Sequence, residues 1–262
     1  WLKGAFSLEL RPHMQGPALK IWKYEFPDSV VLPLEVAIQE SAQLISGTGW
    51  GSAAEHQARV LARDRGVPTI AVIDHWVNYA DRFIRDGIKV LPDELWVADE
   101  WALSIARKEI PGIPVRRFEN RYLQRQVSKV SPVPGTGVVL YVLEPVRQSW
   151  GRDQKGEFQA LEFTLEKIDE LFPMRISKIL LRHHPSEDPS KYEEYLRSDP
   201  RVVMDFSIDV ASAISLADVV VGVESFALTI ALAANRIVYS SLPPWAPSLK
   251  LPHSGIRQIR HL

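Results

Sequence analysis

The feature that most constrains the fold is a regular alternation of short apolar runs with helical stretches over residues 138–240. The predicted strands are 138–143, 178–182, 202–205, 218–222 and 236–240. The predicted helices between them are 156–171, 189–197, 209–216 and 225–234. Strands that alternate with helices are typical of βαβ units, in which neighbouring strands run parallel. The pattern therefore predicts a doubly wound α/β half built on a parallel sheet.

The first half of the chain repeats this pattern in a shorter form. Its predicted strands are 43–46, 69–73, 95–98 and 115–118, and its predicted helices are 53–65 and 100–109. Residues 1–34 contain four prolines and show little patterning, so only a strand at 29–32 is assigned there. The chain opens in the middle of a pattern, and we expect further residues upstream of it.

A composition shift separates the two halves. Residues 123–137 are polar and rich in proline and glycine, which predicts a linker. We therefore expect an abbreviated domain at 1–122, a second domain at 138–250 and a tail at 251–262. Two Rossmann-like domains would face each other across a cleft. Because open parallel sheets bind ligands beyond the carboxyl ends of their strands, the residues that follow each strand are the candidates for function.

Composition and missing motifs exclude several classes of protein. Lys and Arg number 31 against 32 Asp and Glu, so no basic excess points to a nucleic-acid partner. The absence of cysteine excludes disulfide scaffolds and thiolate chemistry and fits a cytoplasmic protein. No apolar run is long enough to span a membrane, so we expect a soluble chain, at most peripheral to the inner membrane. Without an HExxH or DxD motif, we expect neither a metal nor another cofactor.

Two imidazoles stand at the predicted carboxyl end of strand 178–182. His183 and His184 are followed by Pro185, which restricts the backbone at this turn. Imidazoles at such an edge can donate hydrogen bonds or carry positive charge toward a phosphate. The alternative is a pair of loop histidines without a function.

A second candidate follows strand 218–222. Glu224, Ser225 and Phe226 stand where the next helix begins, and the amides of a first helical turn can bind an anion. Ser225 can also simply cap the helix, and the two roles are compatible. A carboxylate beside a phosphate would repel it, so Glu224 is better suited to a ribose hydroxyl or a base edge.

In the first half, a glycine-rich turn that contains Gly49 and Trp50 follows strand 43–46. It lacks the spacing of a nucleotide fingerprint, so a ligand-approach turn and a plain tight turn both stay open. Glu55 and His56 open the next helix, while Asp74 and His75 end strand 69–73. Asp74 is the best-placed general base or, alternatively, a turn cap. Asp99 and Glu100 are expected to cap the helix that follows them.

The second half resembles the GT-B glycosyltransferases in three features, which together cover residues 138–241. It has a strand that ends in His184-Pro185, an apolar strand that leads into a helix bearing Ser225, and a strand that ends in Ser240-Ser241. It is most similar to bacterial sialyltransferase-like enzymes of capsule and lipopolysaccharide synthesis. These enzymes use CMP-activated nonulosonic acids such as sialic acid, pseudaminic acid or Kdo.

The resemblance implies that His184-Pro185 and Ser225 hold the CMP moiety, with Ser240-Ser241 as the other match to the serine motif. Glu224-Ser225-Phe226 stands where that group has a serine pair or triplet. The implied reaction transfers a sugar from a nucleotide donor to a glycan hydroxyl, with the nucleotide sugar bound by the domain at 138–250 and the acceptor by the domain at 1–122. Asp74 would deprotonate the acceptor, while His184 and helix amides would stabilise the leaving phosphate in place of a metal.

Two other functions stay open at this point. UDP-amino-sugar 2-epimerases and hydrolases share the architecture and need acidic residues around the sugar, for which Asp74, Glu144 and Glu224 could serve. A non-catalytic nucleotide- or glycan-binding module would follow if the short first half lacks a base.

Overall fold

The computed structural model describes residues 9–49, 53–170 and 175–262. The fold is mixed α/β and contains two parallel sheets and one short antiparallel hairpin. The chain divides into two compact units, Trp1–Asn120 and Arg121–Leu262. Within the described residues, no helix has the length and apolar character needed to cross a membrane.

The first unit contains a sheet of four parallel strands. Its helices are α1 (Gly16–Glu25), α2 (Leu34–Gln39), α3 (Ala54–Asp64) and α4 (Glu100–Glu109). Its strands are β1 (Leu44–Ser46), β2 (Thr69–Ile73), β3 (Ile84–Arg85), β4 (Ile88–Lys89), β5 (Glu94–Val97) and β6 (Val115–Arg117). The sheet order is β1-β2-β5-β6, and β3 pairs with β4 as the hairpin.

The ends of two helices show how local sequence sets these elements. Asp99 caps α4 by accepting the Ala102 N–H at 2.7 Å, which confirms the expected cap. Gly66 adopts a φ of +68° after α3, and the Val67 N–H then bonds to the Ala62 carbonyl at 2.9 Å. Glycine takes this left-handed conformation without strain, so the predicted stop at Gly66 is confirmed.

The predicted strand at 29–32 is wrong. These residues lie between α1 and α2, and Val30 is 73% exposed. The Leu32 N–H makes a single bond to the Pro12 carbonyl at 2.8 Å, and Pro33 next to it cannot donate one. An isolated bond of this kind does not make a sheet ladder.

The second unit contains a parallel sheet of six strands. Its strands are β7 (Val138–Val142), β8 (Lys178–Arg182), β9 (Val202–Met204), β10 (Val219–Gly222), β11 (Ile237–Ser240) and β12 (Ile256–Gln258). Its helices are α5 (Arg121–Val127), α6 (Gly156–Lys167), α7 (Glu193–Ser198), α8 (Val210–Ser215) and α9 (Phe226–Ala233). Short 3-10 turns occupy Pro189–Tyr192 and Ile259–His261.

The segments predicted as a linker and as a tail are both parts of the second unit. The segment predicted as a linker, 123–137, begins inside α5, and its Gly135 and Gly137 amides both donate to the Asp218 carboxylate at 2.6 Å. The segment predicted as a tail, 251–262, supplies strand β12, which pairs with β11. Both segments are therefore built into the second unit.

The core of the second unit lies between the sheet and its covering helices. Apolar side chains of the strands, such as Tyr141, Ile179 and Val221, pack with Leu161 and Phe163 of α6. Burying a large apolar side chain contributes ~1.5–3 kcal/mol, so this layer supplies much of the unit's stability. This packed layer holds the strands in place, and with them the residues that follow each strand.

Candidate functional site

The strand order of the second sheet defines where a ligand crevice lies. The order is β12-β11-β10-β7-β8-β9. Strands β8 and β9 therefore lie on one side of β7, and the later strands β10, β11 and β12 lie on the other. In strand sequence this order reads 3-2-1-4-5-6 from the β9 edge, the order of the Rossmann fold. The connections after β7 and β10 therefore diverge, and they leave a crevice at the carboxyl ends of these two strands.

Two glutamates meet at this crevice. Glu144 follows β7, and its Oε1 accepts the backbone N–H of Glu224, which follows β10, at 2.7 Å. The Glu224 carboxylate accepts the Lys250 N–H at 2.6 Å. Sequence reasoning assigned Glu224 to a ribose or base contact, whereas Glu144 was considered only for the epimerase or hydrolase alternative. The structure brings the two residues together.

Burial raises the pKa of Glu144 to about 7. The negative charge of Glu224 acts in the same direction, while the hydrogen bond from the Glu224 amide opposes it. A carboxyl with this pKa exchanges its proton near neutral pH, which is the property required of a general acid or base. Glu144 is therefore the carboxyl at this edge that is best suited to carry a proton.

Ser225 caps helix α9 at the same edge. Its Oγ accepts the Ala227 N–H at 3.3 Å, and the helix begins at Phe226. The Phe226 ring lies 6.0 Å from the Tyr122 ring, so this side chain packs against α5 of the same unit. The expected cap is present, and the half-buried Ser225 opens a helical turn toward the edge of the sheet.

The two histidines after β8 have opposite tautomers. The Ser186 N–H can only donate, so its 3.3 Å bond to His184 Nδ1 leaves the proton of the neutral ring on Nε2. His183 Nδ1 lies 3.1 Å from the His184 carbonyl, which can only accept, so here Nδ1 carries the proton. His184 and Pro185 are exposed. His184 can therefore donate from Nε2 to a ligand.

An ion-pair network holds the loop that carries His184. Glu157 of α6 is buried, and its carboxylate bonds to Lys191 at 2.9 Å and to Arg147 at 3.2 Å. Both cations also bond to Glu187, whose pKa these hydrogen bonds lower to about 2. The Glu187 N–H in turn donates to the His184 carbonyl at 2.9 Å. We name Arg147, Glu157, Glu187 and Lys191 the four-residue network; sequence reasoning missed it.

Ser240 and Ser241 lie inside the protein. Both are 0% exposed. The Ser240 hydroxyl donates to the Val223 carbonyl at 2.9 Å, and the Tyr141 hydroxyl donates to Ser241 Oγ at 3.0 Å. The first bond joins β11 to the residue after the adjacent strand β10, and the second joins the residue after β11 to β7, so both hydroxyls are engaged in the interior of the protein.

In the first unit, a glutamate of the chain itself occupies the glycine-rich turn after β1. The Gly49 N–H donates to the Glu55 carboxylate. A side chain at Gly47 would meet the same carboxylate, so the Glu55 side chain would have to move to make room for it. Glu55 thus takes the position that an anionic ligand would have at this turn. Trp50, predicted as an acceptor-side residue, lies outside the described residues.

Asp74 and His75 follow β2 as predicted, but their surroundings differ. Asp74 is exposed. Burial lowers the pKa of Arg82, and the negative charge of Asp74 opposes that shift. His75 is half-buried, and its Nδ1 accepts the Trp76 N–H at 2.9 Å. Burial, with the positive charge of Arg82, lowers the pKa of His75. Of the two, Asp74 is therefore the side chain that reaches solvent.

Within residues 9–49, 53–170 and 175–262, no group of three or more His, Asp or Glu side chains is arranged to hold a metal ion. No protein-family model matches the chain, and no curated protein sequence matches it.

Proposed function

We propose that the chain is a glycosyltransferase of the GT-B type, whose second unit binds the nucleotide of an activated sugar. The donor we favour is a CMP-activated nonulosonic acid, and the acceptor is a glycan hydroxyl. One observation carries the proposal. His184 and the Ser225-capped helix follow β8 and β10, the two strands that flank β7 in a sheet of Rossmann order.

In this proposal the site stabilises a departing phosphate. Negative charge grows on the phosphate as the bond to the sugar breaks, and His184 Nε2–H and the first-turn amides of α9 are preorganised donors for that charge. The four-residue network supports this role because it fixes the His184 loop before any ligand arrives.

The charge of the crevice favours a nucleoside monophosphate as the leaving group. Glu144 and Glu224 lie at the same edge as the proposed phosphate donors. Two carboxyl groups oppose a diphosphate more strongly than a monophosphate, because the repulsion grows with the charge of the ligand. This argument favours CMP over UDP or GDP.

A second candidate function, that of a UDP-amino-sugar 2-epimerase or hydrolase, is favoured by Glu144. Its pKa of about 7 suits a residue that moves a proton on the sugar. In that case the preferred nucleotide would be UDP, and the sugar would be altered without an acceptor.

The test is a thermal melting series of the full chain with CMP, CDP, UMP, UDP and GDP. A ligand at a hundred times its dissociation constant stabilises the fold by ~2.7 kcal/mol, which is easily detected. We expect the largest shift with CMP. His184→Ala should reduce it, while the control His261→Ala, at an exposed histidine of the same unit, should keep it. A larger shift with UDP would favour the second candidate, and equal shifts in both variants would contradict the role of His184.

Turnover separates the remaining alternatives. The chain is incubated with a panel of nucleotide sugars, with and without EDTA. Release of CMP that persists in EDTA would support the transferase. An altered sugar with free UDP would support the epimerase or hydrolase, and binding without turnover would support a non-catalytic module. Activity that EDTA abolishes and magnesium restores would contradict a leaving group stabilised by His184 and amides.

A further inference from the structure

A cavity of about 240 Å³ lies in the first unit, between the connections that follow β1 and β2. The α3 side contributes His56 and Arg59, and the segment after β2 contributes Arg82 and Arg85. Asp81 and Asp86 also line the cavity, and both are exposed.

Arg59 is the most unusual of these residues because its guanidinium is buried and its hydrogen bonds go to neutral acceptors. Burial lowers the pKa of Arg59, and the negative charge of Glu55 offsets this only in part. Arg59 is 1% exposed. Its Nη1 donates to Ser46 Oγ at 3.1 Å and to the Gly47 carbonyl at 3.0 Å. Its guanidinium carbon lies 5.1 Å from the centre of the Phe83 ring. Its Nε–H has no acceptor among the described residues. A buried cation with an unmet donor is costly unless an anion accompanies it.

His56 provides a second, independent observation. Its Nδ1 is buried and has no hydrogen-bond partner within the described part of the chain. Burial and the positive charges of Arg59 and Arg85 lower the pKa of His56, and Asp86 offsets this only in part. The cavity is therefore electropositive at His56 despite the two carboxylates on its lining.

Arg82 is held in place by the backbone. Its Nε donates to the Val77 carbonyl and its Nη1 to the Thr48 carbonyl, each at 3.0 Å. These bonds join the loop after β2 to the turn after β1, so the cavity wall is preorganised. Unmet buried polar atoms on such a wall can be satisfied by a bound water or ion.

We propose that this cavity binds an oxyanion, the phosphate or carboxylate group of a small ligand, with Arg59 and Arg85 as its charge partners. The planar guanidinium fork matches both groups. Neutral His56 can add a hydrogen bond from its ring. The inference does not depend on the proposed function, because it concerns residues of the first unit alone.

The test uses the full chain, with inorganic phosphate and acetate as probes in separate titrations. The readout is the NMR signal of the His56 ring, assigned through its loss in His56→Gln. We expect saturable binding and a rise in the pKa of His56, because the anion offsets the positive charge around the ring. This local readout separates the cavity from phosphate that binds near His184, whose ring gives its own signal.

The variants decide which charges matter. Arg85→Ala should weaken the affinity about tenfold or more, since a charge-assisted bond is lost. Arg85→Lys should lose less, because it keeps the charge without the fork. The matched control, Arg107→Ala, removes one exposed arginine of α4 and should leave the affinity within about twofold. Absence of a His56 response in the millimolar range, or equal affinity in Arg85→Ala and the wild type, would overturn the proposal.

Discussion

The carboxyl edges of the two sheets balance their positive charges in opposite ways. In the second unit, Arg147 and Lys191 both bond to the carboxylates of Glu157 and Glu187. In the first unit, Arg59 bonds to a hydroxyl and a carbonyl, which are neutral. A cation that is paired with carboxylates holds a loop in place, whereas a cation whose hydrogen-bond partners are neutral can still attract an anionic ligand. We therefore propose a structural role for Arg147 and Lys191 and a binding role for Arg59.

The same contrast separates the groups available for chemistry. At the second edge, the groups that we propose as donors to a ligand are the exposed His184 ring and the amides of α9. At the first edge, the charged groups themselves face the cavity, and Asp74 is exposed beside Arg82.

The largest effect is expected for Asp74→Asn, which keeps the shape of the side chain and removes its basicity. If Asp74 is the base that the sequence predicts, sugar transfer to an acceptor should fall ~100–10,000-fold while the affinity for CMP stays nearly unchanged. Steady-state kinetics and a CMP titration measure the two quantities. The control is Asp64→Asn at the exposed end of α3. Wild-type transfer by Asp74→Asn would make Asp74 a turn residue and direct the search to Glu55, His56 or His75.

The next effect concerns stability, and it tests whether the cations of the second edge are structural. Glu157→Gln removes the buried carboxylate of the four-residue network and leaves Arg147 and Lys191 to share Glu187. Both cations keep Glu187, so the expected loss is that of hydrogen bonds to a buried carboxylate, ~1.5–3 kcal/mol in the free energy of unfolding. Urea denaturation measures it.

Glu166→Gln, at an exposed position of the same helix, is the control and should change stability by less than ~0.5 kcal/mol. If Glu157→Gln is as mild as this control, the network does not hold the loop.

How far the sequence predicts these features depends on the range of the interaction. Strands β7 to β11 are nearly all buried in a parallel sheet, so they appear in the sequence as continuous apolar runs. The edge strand β12 has only three residues, two of them polar, and leaves no such run. Helix α1 is not evident from the sequence because residues 1–34 contain four prolines and little apolar patterning, although a proline in a first helical turn, such as Pro17, is compatible with a helix start.

The residues of the site likewise fall into those that the local sequence predicts and those that depend on long-range contacts. The rule that ligands bind beyond strand ends selected His184 and Ser225, and the structure places both at the carboxyl edge of the sheet. The pairing of Arg147 with Glu187 joins residues 40 positions apart, and Glu144 meets Glu224 across 80 positions. Nothing in the local sequence encodes such contacts, because the order of the strands creates them.

A smaller effect is expected from Glu144 as the pH changes. Its pKa is raised from 4.5 to about 7, so the folded state binds more protons than the unfolded state between these values. The free energy of unfolding should therefore fall as the pH rises from about 4.5 to about 7, and it should then level off. Glu144→Gln removes this contribution while its amide oxygen can still accept the Glu224 N–H.

The full shift corresponds to ~3 kcal/mol, and the partial exposure of Glu144 reduces the expected effect to ~1–2 kcal/mol. Glu144→Gln should thus be more stable than the wild type at pH 8 by that amount and about equal to it at pH 4. Urea denaturation across the pH range measures the difference, with Glu166→Gln as the control that keeps the wild-type slope. Parallel curves for Glu144→Gln and the wild type would show that the Glu144 carboxyl titrates normally.

The smallest effect, and the sharpest test of the contrast, is expected for Arg59→Met. Methionine has a similar length and carries no charge. The variant leaves Ser46 Oγ and the Gly47 carbonyl without this donor, at a cost of ~1 kcal/mol each, but it also removes a buried cation whose bonds are to neutral groups. These terms nearly cancel, so urea denaturation should show a change within ~1 kcal/mol, well below that of Glu157→Gln. Phosphate should no longer shift the His56 signal. A loss of stability as large as that of Glu157→Gln would make Arg59 a structural residue, and the two sheet edges would then use their cations alike.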